Sequence, residues 1–99
     1  SYNGTATYEY TAGSSRKYAI YAKFPVEPNR TTSAKYQLYV NGSLKATKYV
    51  DQTDQNNRGD NVFLFSYSLS SGNKVKVVVS NSIGSGWLIS DAILFRAWN

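Results

Sequence analysis

The sequence predicts an all-β protein, an antiparallel β-sandwich of jelly-roll type with about seven to eight strands. Apolar and polar residues alternate with a period of two over most of the chain, and no stretch keeps a helical period. Turn-forming residues recur roughly every ten to twelve positions, a spacing typical of sandwiches. We expect one domain, residues 1–99, with strands at Thr5–Tyr10, Lys17–Phe24, Lys35–Val40, Leu44–Asp51, Val62–Leu69, Lys74–Ser80 and Trp87–Phe95.

The first two strands are bounded by residues that form turns. The first, TATYEY, ends at the small and polar residues 12–15. In the second, the even-numbered residues from Tyr18 to Phe24 share one apolar face. Pro25 and Pro28 end this strand, because proline cannot donate to a sheet ladder.

The third and fourth strands form a hairpin. Even-numbered residues of the third strand, KYQLYV, point inward. Asn41-Gly42 follows, and this pair favours a type I′ turn, in which both central residues have positive φ. The return strand ends in a polar loop, residues 52–60.

The last three strands complete the sandwich. The lysines of KVKVVVS lie on a solvated strand face, and residues 81–86 precede the final strand. The fifth strand is expected to place four large side chains on the core face, namely Phe63, Phe65, Tyr67 and Leu69.

The composition excludes several classes of chemistry. The chain has no Cys, no His and no Met, so it has no zinc site of the usual kind, no His-based triad and no disulfide. A glycosidase needs two facing carboxylates about 5–10 Å apart, and only a polar loop could supply them here. We therefore expect no catalytic residues and no enzyme activity.

The net charge of +5 comes from scattered basic residues, and only Arg16 and Lys17 are adjacent. No nucleic-acid-binding motif is present, and no apolar run reaches the length of a membrane span. We expect no nucleic-acid or membrane partner and a monomeric protein. An acidic polysaccharide would respond to the same positive charge.

Four segments resemble one known family. Residues 18–25 (YAIYAKFP), residues 29–36 (NRTTSAKY), Asp51-Gln52 and residues 90–95 (SDAILF) are similar to motifs of the golvesin/xanthan-lyase C-terminal family. The resemblance implies a non-catalytic sandwich similar to carbohydrate-binding domains. It also implies a secreted bacterial protein in which the module is attached to a catalytic domain.

The alternation suggests a ligand platform. If Tyr18 and its even-numbered neighbours point inward, Tyr21 and Lys23 lie on the opposite face of the second strand. Gln37 and Tyr39 do the same on the third, so neighbouring strands would form an exposed tyrosine platform flanked by polar groups. Aromatic rings and polar tips suit the C–H faces and hydroxyls of sugars. Alternatively, tyrosine is simply favoured on half-exposed strands.

Two further residues are candidate contacts. The fork of Arg30 could bind a sugar carboxylate, or it could tie loops together, with Asp91 as a hypothetical partner. Trp87, beside the glycines at 84 and 86, could stack on a sugar or close the end of the core.

The loop after the hairpin offers oxygen ligands. Asp51, Asp54 and Asp60 are weak candidates for a structural calcium ion, and a solvated loop is the alternative. Apart from that ion no cofactor is expected, and the tripeptide at 58–60 (RGD) is a weak integrin-type signal.

The sequence therefore predicts a secreted carbohydrate-binding module whose partner is a polysaccharide. The positive net charge is compatible with an acidic polysaccharide. The alternative is a structural or protein-interaction domain of adhesin type that has no sugar site.

Overall fold

The computed structural model describes residues 5–24, 30–54, 61–83, 86, 88 and 92–97. Among them, no helix is long and apolar enough to cross a membrane. The described residues form seven strands: β1 (Thr5–Thr11), β2 (Arg16–Lys23), β3 (Ala34–Val40), β4 (Ser43–Val50), β5 (Val62–Leu69), β6 (Lys74–Asn81) and β7 (Ala92–Ala97).

The strands form two antiparallel sheets, which confirms the predicted sandwich. One sheet has the order β1-β6-β3-β4 and the other the order β5-β2-β7. Consecutive strands β2 and β3 therefore lie in different sheets. The last strand begins at Ala92, whereas the sequence predicts a start at Trp87, which lies outside the described residues.

The core lies between the inner faces of the two sheets. Ile20 of β2 and Leu38 of β3 are completely buried, as are Val77 and Val79 of β6. Burying one such side chain stabilises the folded state by about 1.5–3 kcal/mol. Apart from the buried Ala19, these residues alternate with partly exposed ones, so the period of two that predicted the strands also builds the core.

The hairpin turn has the predicted geometry. Asn41 and Gly42 both have positive φ, 49° and 85°. The Asn41 amide donates to the Lys74 carbonyl at 2.7 Å, and the Asn41 side-chain oxygen accepts from the Lys74 amide at 2.9 Å. The turn is thereby attached to the start of β6.

A β-bulge overturns the expected position of Phe63. The register of β2 and β5 shifts between Ile20 and Tyr21, so that Ile20 lies opposite Phe65 and Tyr21 opposite Phe63. The additional residue, Leu64, is buried, and Phe63 is 42% exposed on the outer face. The prediction that Phe63 belongs to the core is wrong because one extra residue reverses the alternation.

Two contacts close the sides of the sandwich. On one side, the rings of Tyr10 and Phe95 stack with centroids 4.7 Å apart, joining edge strands β1 and β7. On the other, Lys48 of edge strand β4 lies opposite the inward-facing Tyr36 and donates to the Phe63 carbonyl at 2.9 Å. An inward-pointing charge of this kind protects an edge strand from pairing with other chains.

Hydrogen bonds join three loops at one end of the sandwich. The Thr31 hydroxyl donates to the Asn81 side-chain oxygen at 2.9 Å, and the Thr31 carbonyl accepts from the Gln52 amide at 3.0 Å. The Asn81 side-chain nitrogen donates to the Gly86 carbonyl at 3.1 Å. We call these four residues the end cluster. Since Thr31 and Gln52 are completely buried, their hydrogen bonds offset the loss of hydration.

Gly86 should not tolerate a side chain. Its φ is +75°, and an added Cβ would lie 2.7 Å from the Arg30 carbonyl oxygen and 2.8 Å from the Thr31 Cα. We expect Gly86→Ala to lower the free energy of unfolding by about 3 kcal/mol, measured by urea denaturation. Gly13→Ala is the matched control, because nothing lies within 4 Å of its added Cβ. Equal stabilities of the two variants would contradict this packing.

The buried Tyr36 should make stability depend on alkaline pH. Its hydroxyl accepts a hydrogen bond from the Gln52 side chain at 3.3 Å, and burial raises the pKa of Tyr36 to about 12. Below pH 10 the phenol is protonated in both states and contributes no pH dependence. Between pH 10 and 12 the unfolded state loses the proton first, so the free energy of unfolding should fall by about 2–3 kcal/mol.

Tyr36→Phe isolates this effect, because the other titrating groups are unchanged. Urea denaturation at several pH values should show the wild type losing stability relative to Tyr36→Phe between pH 10 and 12. A difference that does not vary with pH would show that the Tyr36 pKa is not raised.

Candidate functional site

The structure separates the predicted tyrosine platform into two halves. Tyr21 and Lys23 lie on β2, in the three-stranded sheet, whereas Gln37 and Tyr39 lie on β3, in the four-stranded sheet. Both pairs point outward, but from opposite sides of the sandwich. The shared platform is wrong because the connection between β2 and β3 crosses from one sheet to the other instead of forming a hairpin.

One half of the predicted site gains new neighbours. Tyr21 lies opposite Phe63 on one side and opposite Leu94 on the other, so the three side chains form a row across β5, β2 and β7. Phe63 is 42% exposed and Leu94 is 40% exposed. The row spans two strand spacings, about 10 Å. We call the outer surface of this sheet the three-strand face.

The aromatic part of this row is held in place. The Tyr21 and Phe63 rings meet edge to face, with centroids 5.8 Å apart and an interplanar angle of 74°. The Lys48 ammonium lies 5.6 Å from the Phe63 ring centroid while it donates to the Phe63 carbonyl. The Phe63 ring is therefore supported from the side of the sandwich, and part of its surface stays accessible to solvent.

Basic residues surround the row. Lys23 lies two residues beyond Tyr21 on the same face, and Arg96 lies opposite Ala19, which precedes Tyr21 by two residues. Lys17 lies at the other end of β2, opposite Ser68. On the described part of the three-strand face, all charged side chains are positive, namely those of Lys17, Lys23 and Arg96.

The other half of the predicted site lies on the outer surface of the four-stranded sheet, which we call the four-strand face. There the Lys76 ammonium lies 4.8 Å from the Tyr39 ring centroid and covers one side of the ring. Gln37, two residues before Tyr39, lies between Val78 and Thr47. Tyr39 therefore offers a sugar less open ring surface than the prediction assumed.

Sequence reasoning missed several exposed apolar residues, among them Tyr49, Phe63 and Leu94. Tyr49, 58% exposed, could have been found, because the alternation within β4 already places it outward. Phe63 could not, since no residue pattern marks the bulge. Leu94 was missed because its contact with the Tyr21 row depends on β7 pairing with β2.

Arg30 lies beside the end cluster. Its Nε atom is buried, and its backbone is the nearest neighbour of an added Cβ on Gly86. Both predicted roles of its side chain, binding a sugar carboxylate and tying loops together, stay predictions. Trp87 and Asp91 lie outside the described residues, so their predicted roles stay predictions.

The described calcium candidates have local hydrogen bonds. One Asp51 oxygen accepts from the Thr53 amide at 2.8 Å and from the Thr53 hydroxyl at 2.6 Å, which stabilises a turn. Asp60 and the RGD tripeptide lie outside the described residues, and no group of three or more acidic ligands occurs among the residues described. Calcium binding at Asp51, Asp54 and Asp60 stays a prediction.

Comparison with models of known protein families identifies the family of this chain. A family model described as the Golvesin C-terminal domain matches residues 1–97, a range that includes all four segments that carried the resemblance. No curated protein matches the sequence at a significant level. With a sandwich fold, an end cluster built from the motif residues Thr31 and Gln52, and a match over almost its whole length, the chain belongs to the Golvesin C-terminal domain family.

Proposed function

We propose that this protein is a non-catalytic carbohydrate-binding module and that the three-strand face holds the polysaccharide. The observation that carries the proposal is the row of Phe63, Tyr21 and Leu94, in which Phe63 and Leu94 are exposed and Tyr21 is half-buried. Exposed apolar side chains that are contiguous, rather than scattered, commonly mark a binding surface.

The chemistry of the row suits a sugar chain. Rings and a leucine side chain can pack against the apolar C–H faces of pyranose rings, because both surfaces lose contact with water. Lys23 and Arg96, at the margins of the row, can donate hydrogen bonds to hydroxyls or carboxylates. Because the described charges on this face are all positive, an acidic polysaccharide is favoured over a neutral one.

The absence of acidic groups on the described three-strand face supports a binding role over hydrolysis. The described carboxylates, Glu9, Asp51 and Asp54, lie on β1 or in the loop after β4. Glycoside hydrolysis needs a pair of carboxylates beside the bound sugar. We accordingly propose that a catalytic domain elsewhere in a secreted bacterial polysaccharide-active or cell-wall-active protein carries out the reaction.

Truncating the row should weaken binding without unfolding the protein. In affinity gels containing polygalacturonate, alginate, xylan or dextran, we expect wild-type retention on at least one polysaccharide. In 1 M salt, which screens exposed charges, Phe63→Ala and Leu94→Ala should each weaken that binding about tenfold or more, as truncation of anchors does at other interfaces.

Ile83→Ala is the matched control, because Ile83 is 51% exposed but follows β6 at the end of the sandwich. It should bind as the wild type does, and thermal melts should show that all three variants are folded. Absence of retention on every polysaccharide, or equal retention of all variants, would overturn the proposal. The first result would favour the protein-interaction alternative, in which the same row docks a protein.

A further inference from the structure

The four-strand face is a second surface with its own composition. Its rows run across β1, β6, β3 and β4, and one row brings Lys35 between Ser80 and Tyr49. Another places Tyr39 between Lys76 and Leu44. This face takes no part in the function proposed for the opposite sheet.

The four-strand face exposes apolar groups near its edge. Tyr49 is 58% exposed and Leu44 is 51% exposed, and both belong to edge strand β4. Thr47 lies between them on the same face and is also exposed. The Tyr49 ring is the most exposed aromatic ring among the described residues, and the Lys35 side chain lies beside it.

The charge of this face is positive. Lys35, Lys74 and Lys76 all belong to its outward positions, and Glu9 is the acidic residue on its described part. Lys35 and Lys76 are separated by about 13 Å along the strands, since Lys35 pairs with residue 80, four positions from Lys76. A polymer that carries repeated carboxylates matches this arrangement of lysines around amide and hydroxyl groups.

We propose that the four-strand face is a second binding site for an acidic polysaccharide, so that one module holds two polymer chains. The two faces lie on opposite sides of a molecule whose shortest dimension is 17 Å. A short, stiff sugar segment cannot contact both at once. This inference rests on the function proposed for the three-strand face. If each face binds one polymer chain, the module cross-links anionic polymers.

The two sites differ in the interactions that hold the ligand. On the four-strand face one side of the Tyr39 ring is covered by the Lys76 ammonium, so charge contributes more there than stacking. On the three-strand face an uncharged row forms the centre. Salt should therefore weaken the four-strand site more strongly, because exposed charges are screened over about 3 Å at 1 M salt.

Residue-resolved NMR titration tests the second site directly. With a short oligogalacturonate or oligoalginate as probe, amide shifts should move at residues 35–39 and 76–80. Shifts at residues 19–23 and 92–96 report the three-strand face separately. K35Q/K76Q should weaken binding at the four-strand face at least tenfold and leave the other face unchanged. K23Q/R96Q, which removes the same charge from the opposite sheet, should do the reverse.

Cross-linking is measured by light scattering with long polygalacturonate or alginate. The wild type should raise the scattering, whereas K35Q/K76Q and Phe63→Ala should each abolish the rise, since each leaves one functional face. If residues 35–39 and 76–80 do not respond to either acidic probe, or if K35Q/K76Q changes nothing, the second site is wrong. A response on the four-strand face alone would support the second site and overturn the proposed function of the other face.

Discussion

Face-to-face burial of two β-sheets is the constraint on which the rest of this molecule depends. The chain has no cysteine, so the inner side chains of β2, β3 and β6 must supply most of its stability. Because these inner side chains alternate with outward ones, burying Ile20 and Leu38 also turns Tyr21 and Tyr39 to the outer faces, where both are half-buried. The two proposed binding surfaces are therefore a geometric consequence of the core, and they lie on opposite sides of it.

At one point on edge strand β5, a β-bulge interrupts the alternation of inward and outward residues. The bulge opposite Ile20 and Tyr21 buries Leu64 and turns Phe63 outward, where it extends the apolar row begun by Tyr21. Lys48 then joins the edge strands β4 and β5 and holds both the carbonyl and the ring of Phe63. One local irregularity thus protects an exposed edge and enlarges a candidate binding surface.

Two residues of the family motifs have a structural role at the end of the sandwich. Thr31 and Gln52 belong to the segments that resemble the Golvesin C-terminal domain, and both are completely buried in the end cluster. Their hydrogen bonds connect loops that approach from both sheets, and Gly86 permits the closest of these approaches. The residues proposed to bind polysaccharide lie instead on the outer faces, and Tyr21, Lys35 and Leu94 belong to the same motif segments.

The amino-acid sequence alone was enough to predict most of each strand, the inward and outward residues away from the bulge in β5, and the Asn41-Gly42 turn, because each of these depends on neighbours within a few positions. It also carried the family resemblance. Which strands are neighbours became clear only from the three-dimensional structure. The strand pairing separated Tyr21 from Tyr39, joined Tyr21 to Leu94 and, through a one-residue bulge, moved Phe63 from the core to the surface. Strand pairing depends on contacts between residues far apart in the chain, and a period of two is the same for every possible pairing.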